Sequence, residues 1–139
     1  YAYDKNNNIT SFTNGTGATT TATYDSLNRV KQMTDPLGNT FSYAYDKNSN
    51  VISATDREGR TGHYTYDSLN RVKTYTDKNG FIITVGYDAE NNITTMRDQN
   101  NNTTTYTYDN LNRRTRMTYP DSRYVEYTYN NKNNVTWTG

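Results

Sequence analysis

Three kinds of residue in this 139-residue chain have the type or spacing to do chemistry. Asp4, Asn6 and Asn8, and again Asp46, Asn48 and Asn50, set oxygen ligands at alternate positions, the spacing that opens a calcium loop. The central Gly and closing bidentate Glu of such a loop are missing, and alternate turns put Leu27, Leu69 or Leu111 where the middle ligand would stand. The spacing therefore reads as turn chemistry, because short Asp and Asn side chains bond nearby backbone. His63, the single histidine, replaces Thr or Ser on a polar strand face without an acid–base or ligand partner in its pattern. Trp137, the single tryptophan, falls on a terminal strand and reads as a packing residue at the end of the chain's pattern. No nucleophile stands beside a base, no carboxylate couple lies in an apolar stretch, and there is no Gly-rich phosphate loop. The chain is expected not to be an enzyme and to carry no cofactor or metal site.

The elements that hold these residues announce themselves by a period. Tyr-Asp occurs at Tyr3-Asp4, Tyr24-Asp25, Tyr45-Asp46, Tyr66-Asp67, Tyr87-Asp88 and Tyr108-Asp109, and decays to Tyr129-Asn130. Every interval is 21 residues, the mark of a repeat architecture. Only 31% of residues are hydrophobic, against about 45–50% in globular domains, and the mean hydropathy is −1.15. Disordered chains are poor in aromatic and β-branched residues, whereas this one holds 15 Tyr and 26 Thr. Both suit a half-buried pleated surface, and Tyr carries its own hydrogen-bonding group. A folded β protein with a thin, tyrosine-rich core is predicted.

One repeat, Tyr24 to Ala44, contains two turn signals. Asp25 and Asn28 mark the first; Pro36 and Gly38 mark the second, where Pro fixes φ and Gly allows it to be positive. Gly17, Gly59 and Gly80 hold the same second-turn position, which relaxes to Asn101 and Ser122. Between the turns lie two strand-length runs, so each repeat is predicted to be one β-hairpin. On the longer strand Thr104, Tyr106 and Tyr108 share one face and Thr103, Thr105 and Thr107 the other. On the shorter strand Val30 and Met33 are separated by an odd interval, which breaks alternation and predicts a bulge and a winding sheet.

The predicted structural core is therefore Tyr3, Tyr24, Tyr45, Tyr66, Tyr87, Tyr108 and Tyr129, joined by Tyr43, Tyr64, Tyr106 and Tyr127. Their rings are expected to form ladders in which each covers its neighbour two strands away. Turns and register are assigned to Asp4, Asp25, Asp46, Asp67, Asp88 and Asp109 and to Gly38, Gly59 and Gly80. A second period, twice the first, separates turns carrying Leu27-Asn28-Arg29, Leu69-Asn70-Arg71 and Leu111-Asn112-Arg113 from plainer Asn-rich turns between them. Leu and Arg of one turn are expected to lie over the Asn turn beside it.

The pattern Y-D-x-x-N-R, a valine, T-D-x-x-G and Y-x-Y-D resembles the YD repeat of the RHS family over the whole chain, most closely at residues 24–30, 66–72 and 34–39. That family comprises bacterial RHS and wall-associated polymorphic toxins, the B and C components of insecticidal toxin complexes, and teneurins. The resemblance implies an all-β fold of tandem antiparallel hairpins in a curved, spiralling sheet, as a shell segment, solenoid or fibre. It also implies a non-enzymatic scaffold of a large secreted or surface bacterial protein, extracellular or at the cell surface, that encloses toxin cargo or displays other domains. Asp35-Pro36 is similar to a segment at which some RHS proteins cleave themselves, but here it stands in register as a repeat turn.

Residues 1–139 are read as one array of seven repeats, the first and last incomplete. Because it opens and stops within repeats, it is expected to be a segment of a longer chain. Self-association through sheet edges, or pairing with flanking repeats, is the expected partnership. The alternative reading is a glycan-binding adhesin that stacks sugars on tyrosine ladders. With 15 basic and 14 acidic residues and no basic block, a nucleic-acid partner has no electrostatic support. No apolar run reaches membrane-spanning length. Cysteine is absent, so no disulfide framework is available. The sequons at Asn8, Asn14, Asn92, Asn101, Asn102 and Asn134 are of a number that an Asn- and Thr-rich chain generates by chance.

Overall fold

The computed structural model describes residues 1–138, with side chains through Thr136; the Trp137 side chain lies outside the described residues. The strands are β1 Ala2–Tyr3, β2 Ile9–Thr13, β3 Thr19–Tyr24, β4 Val30–Thr34, β5 Thr40–Tyr45, β6 Val51–Thr55 and β7 Thr61–Tyr66. They continue as β8 Val72–Thr76, β9 Ile82–Tyr87, β10 Ile93–Asp98, β11 Thr103–Tyr108, β12 Arg114–Thr118, β13 Tyr124–Tyr129 and β14 Val135–Thr138. All lie in one sheet in sequence order, each antiparallel to the next, and the sheet does not close. Every contact between elements is between sequence neighbours. No helix occurs among the described residues.

Both turns of a repeat use the same backbone. Asn28 N–H donates to the Asp25 carbonyl, Asp25 N–H donates to the Arg29 carbonyl, and Asn28 has φ of 60°. Gly38 N–H likewise donates to the Asp35 carbonyl, with Gly38 at φ 83°. A tight turn closed by one left-handed residue is the three-residue hairpin loop. Alternate turns emerge on opposite sides of a meander, so the molecule has a Tyr-Asp edge (turns at 4–8, 25–29 and onward) and a Gly edge (turns at 14–18, 35–39 and onward).

The predicted bulge is present. Thr23 pairs with Gln32 and Tyr24 with Val30, leaving Lys31 as the extra residue. Thr10, Ile52, Lys73, Thr94 and Thr115 are skipped in the same way. The β13–β14 ladder is regular, with Thr128 opposite Thr136 and Tyr129 opposite Val135. A bulge bends its strand and raises the local twist.

Two expectations are corrected here. No described residue is fully buried, because no other described element packs on the sheet; the tyrosines form a half-buried face and not an enclosed core. Nor do the repeat tyrosines stack as ring on ring. Rings two strands apart are separated by roughly 9–10 Å, and the aromatic pairs among the described residues are Tyr1–Tyr3, Tyr1–Phe12 and Tyr64–Tyr75. The tyrosine face is instead a mixed row in which Tyr43 stands opposite Ala54 and Tyr64 opposite Tyr75. A Cβ on Gly62 would come 3.0 Å from the Tyr75 ring, so the missing side chain leaves that ring its place.

Candidate functional site: the turn edge and its tyrosine rungs

Each bulge leaves a carbonyl for the next repeat to use. The β4–β5 ladder starts at Gln32 opposite Ser42, so Val30 has no partner across that side. Its carbonyl accepts the Tyr45 hydroxyl at 2.8 Å. The same bond joins Tyr24 to Ile9, Tyr66 to Val51, Tyr87 to Val72, Tyr108 to Ile93 and Tyr129 to Arg114, at 2.7 to 2.9 Å. Six hydroxyls therefore satisfy six carbonyls, each 15 residues earlier in the chain. Partial burial raises the pKa of the Tyr45, Tyr66 and Tyr108 hydroxyls.

The aspartates that follow fold the turn on themselves. Asp25 Oδ1 accepts the Leu27 and Arg29 N–H groups at 2.9 and 3.0 Å, while Oδ2 accepts Arg29 Nε at 2.7 Å. Asp4 and Asp46 receive the same two backbone bonds, with Asn8 and Asn50 replacing the arginine. The oxygens that a cation would need thus already accept three N–H groups in each carboxylate. The side-chain bond from Asn8 holds Asp4 below the usual carboxylate range, and the Arg29 side chain does the same for Asp25. The sequence reading overlooked the matching aspartates of the Gly edge. Asp35 accepts the Leu37 and Asn39 N–H groups, and Asp56 and Asp98 act alike. Their own regular spacing, 21 residues at each step through Asp35, Asp56, Asp77 and Asp98, was the available signal.

Along the Tyr-Asp edge, each turn grips the next. Asn8 and Asn6 donate to Asn28 Oδ1; Asn50 and Asn48 donate to Asn70 Oδ1; Asn92 donates to Asn112 Oδ1. The arginine turns continue the chain of bonds. Arg29 Nη1 reaches the Asp46 carbonyl at 3.0 Å and Ser49 Oγ at 3.1 Å, and Arg71 Nη1 reaches the Asp88 carbonyl at 3.1 Å and Asn91 Oδ1 at 2.9 Å. Arg113 reaches Asn133 Oδ1 at 2.7 Å. The three guanidinium groups also lie 4.4 to 4.5 Å above the Tyr45, Tyr87 and Tyr129 rings. This explains why the left-handed residue is Asn or Ser here and Gly at most turns of the other edge: on this edge its side chain is an acceptor. Leu27, Leu69 and Leu111 do not join in; they are 61%, 64% and 63% exposed. The expectation that Leu covers the neighbouring turn is corrected, because a side chain at the turn tip points beyond the sheet.

The polar face is joined more simply. Thr65 and Thr74 hydroxyls meet at 2.6 Å, Thr55 and Thr61 at 2.9 Å, and Thr107 and Thr115 at 2.9 Å. His63 sits exposed on this face opposite Ser53 and Thr76.

A family model described as the RHS Repeat matches residues 3–40, 45–82 and 87–124. The chain belongs to the RHS repeat family. The three matches open at Tyr3, Tyr45 and Tyr87, one for every second repeat, which is the period of the arginine turns. The solved TcdB2-TccC3-Cdc42 structure is similar in fold, with a TM-score of 0.71 and 17% identity over 85% of this chain and 7% of that one. TcdB2-TccC3 gives a TM-score of 0.66 and 19% identity over 81% of this chain and 6% of that one. The RHS chain thus spans less than a tenth of either neighbour's length. No curated protein matches it. Repeat family and fold together make it a structural repeat scaffold.

Proposed function

We propose that this RHS array is a wall segment of a longer secreted or surface bacterial protein, non-enzymatic, whose hairpins help enclose cargo such as a toxin domain or hold other domains apart. One observation carries the reading: an open sheet of fourteen strands in sequence order, stitched from repeat to repeat, with no fully buried residue among those described. A surface of this kind spans distance at about 4.8 Å per strand, roughly 60 Å for this segment. Its partners are flanking repeats, or other sheet edges, and whatever the parent chain encloses. The tyrosine hydroxyls and turn carboxylates are assigned the structural role of fixing spacing and register. Small-angle scattering of the isolated chain tests this reading. A particle one sheet thick and several times longer is expected, and a compact globule overturns the wall. Saturable binding on a glycan array, abolished by Tyr43→Ala or Tyr64→Ala, would favour the adhesin instead.

A further inference from the structure

Two Asn-Gly pairs occur in the chain, Asn14-Gly15 and Asn79-Gly80, both on the Gly edge and both exposed. In such a pair the glycine nitrogen meets little hindrance in attacking the preceding side-chain carbonyl, because glycine has no Cβ. The two turns hold their pairs at different places. Asn79 lies inside its turn and donates its N–H to Asp77 Oδ1 at 2.8 Å. Gly80, at φ 81°, donates its N–H to the Asp77 carbonyl at 3.0 Å, so the nitrogen that would attack is engaged in closing the turn. Asn14 instead opens its turn, at the repeat position held later by Asp35, Asp56, Asp77 and Asp98. Its Oδ1 accepts the Thr16 N–H at 2.9 Å, the Thr16 hydroxyl at 2.7 Å and the Ala18 N–H at 3.0 Å. Asp35 Oδ1 accepts the Leu37 and Asn39 N–H groups in the same way. An amide oxygen thus occupies a cradle that the following repeats fill with a carboxylate. Gly15 N–H makes no hydrogen bond among the described residues, and a Cβ on Gly15 would meet nothing within 4 Å.

We propose that Asn14 is a self-modification site, which loses its side-chain amide through attack by the Gly15 nitrogen and becomes aspartate. Solvent base takes the Gly15 amide proton, the nitrogen bonds to Asn14 Cγ, and negative charge develops on Oδ1. The Thr16 N–H, Thr16 hydroxyl and Ala18 N–H already point at that oxygen, and donors aimed at a developing oxyanion lower its barrier. Collapse breaks the Cγ–Nδ2 bond, and Nδ2 takes a proton from water and leaves as ammonia. The same donors polarise the Cγ carbonyl of the cyclic imide, so water adds there and breaks the bond to Gly15 N, which recovers its proton. The new carboxylate stays in the cradle and completes the row begun by Asp35. Opening at the other carbonyl would give isoaspartate, whose longer backbone displaces the Asn14 carbonyl that receives the Gly17 N–H.

The full chain is kept folded in mildly alkaline buffer, with a parallel sample in urea, and amide-to-acid conversion at each Asn is followed by peptide mass spectrometry. In the folded chain Asn14 is expected to convert at least about fivefold faster than Asn79, the factor for first breaking one backbone hydrogen bond. In urea the two rates should converge. Thr16→Val removes the hydroxyl donor and keeps both backbone donors, so it should slow Asn14 and leave Asn79 unchanged. Fragment spectra of the folded sample should show aspartate as the main product at position 14. Equal folded-state rates, an advantage of Asn14 that persists in urea, or a Thr16→Val chain that converts at the parent rate overturns the proposal. So does isoaspartate as the main product of the folded chain.

Discussion

Tyr66 sits in a middle repeat with its ring half-buried and its hydroxyl on the Val51 carbonyl. Tyr66→Phe leaves that carbonyl without its partner and is expected to cost about 1 kcal/mol. Tyr66→Ala should cost more, roughly half of the ~3–5 kcal/mol of a fully buried aromatic. Thr65→Ala, on the exposed face, should cost least, and denaturant melts of the three variants check the order. The turn carboxylates give a second residue-scale expectation. Bonds from the Asn8, Arg29 and Arg113 side chains lower the pKa of Asp4, Asp25 and Asp109 in the folded chain. A lowered folded pKa adds stability above the unfolded value of about 3.9 that is lost as pH falls through the folded value. Melting midpoints should therefore be flat near neutrality and fall in acid below about pH 4. Asp25→Asn with Asp109→Asn should flatten that fall. At this scale the sequence showed which residues recur, with Tyr and Asp as a pair at six of seven positions. It could not show that Asn28 accepts from Asn8, because those residues are 20 apart and only strand pairing makes them neighbours.

The hairpin is the element that was most legible. Two turn signals per repeat, Gly38 at a positive φ and the odd interval from Val30 to Met33 all correspond to features of the backbone. The tyrosine hydroxyl on the bulge carbonyl was hidden, since neither partner's sequence shows which carbonyl a bulge leaves over. The two edges differ in a way that mutation can expose. Asn101 is left-handed on the Gly edge, φ 65°, where Gly is the usual occupant. Asn101→Gly is expected to raise stability by up to about 1 kcal/mol by relieving backbone strain. Asn70→Gly relieves the same strain but loses the bonds from Asn48 and Asn50, so it should bring no gain. Thermal melts in parallel compare the two. Equal gains would mean that the edge bonds contribute nothing.

Over the whole molecule, stability should behave as a sum of hairpins and neighbour interfaces, because no element touches any but the next. The sequence revealed the array through its unbroken period. It did not reveal that no described residue is fully buried, since a tyrosine-rich pattern looks the same on an open sheet and on an enclosed one. The central claim is that repeats are stitched turn to turn, with arginine turns and Asn turns in strict alternation. Removing residues 46–87, two whole repeats, keeps that alternation. Removing only residues 46–66, a single repeat, keeps strand register but sets the Arg29 turn directly beside the Arg71 turn, with a second guanidinium where the Asn50 amide stood. Denaturant midpoints of these two deletions measured side by side decide the matter. The shorter protein, lacking both repeats, is expected to have the higher midpoint of the two. A midpoint that simply follows the number of repeats remaining, with the single-repeat deletion more stable, would contradict the stitched edge.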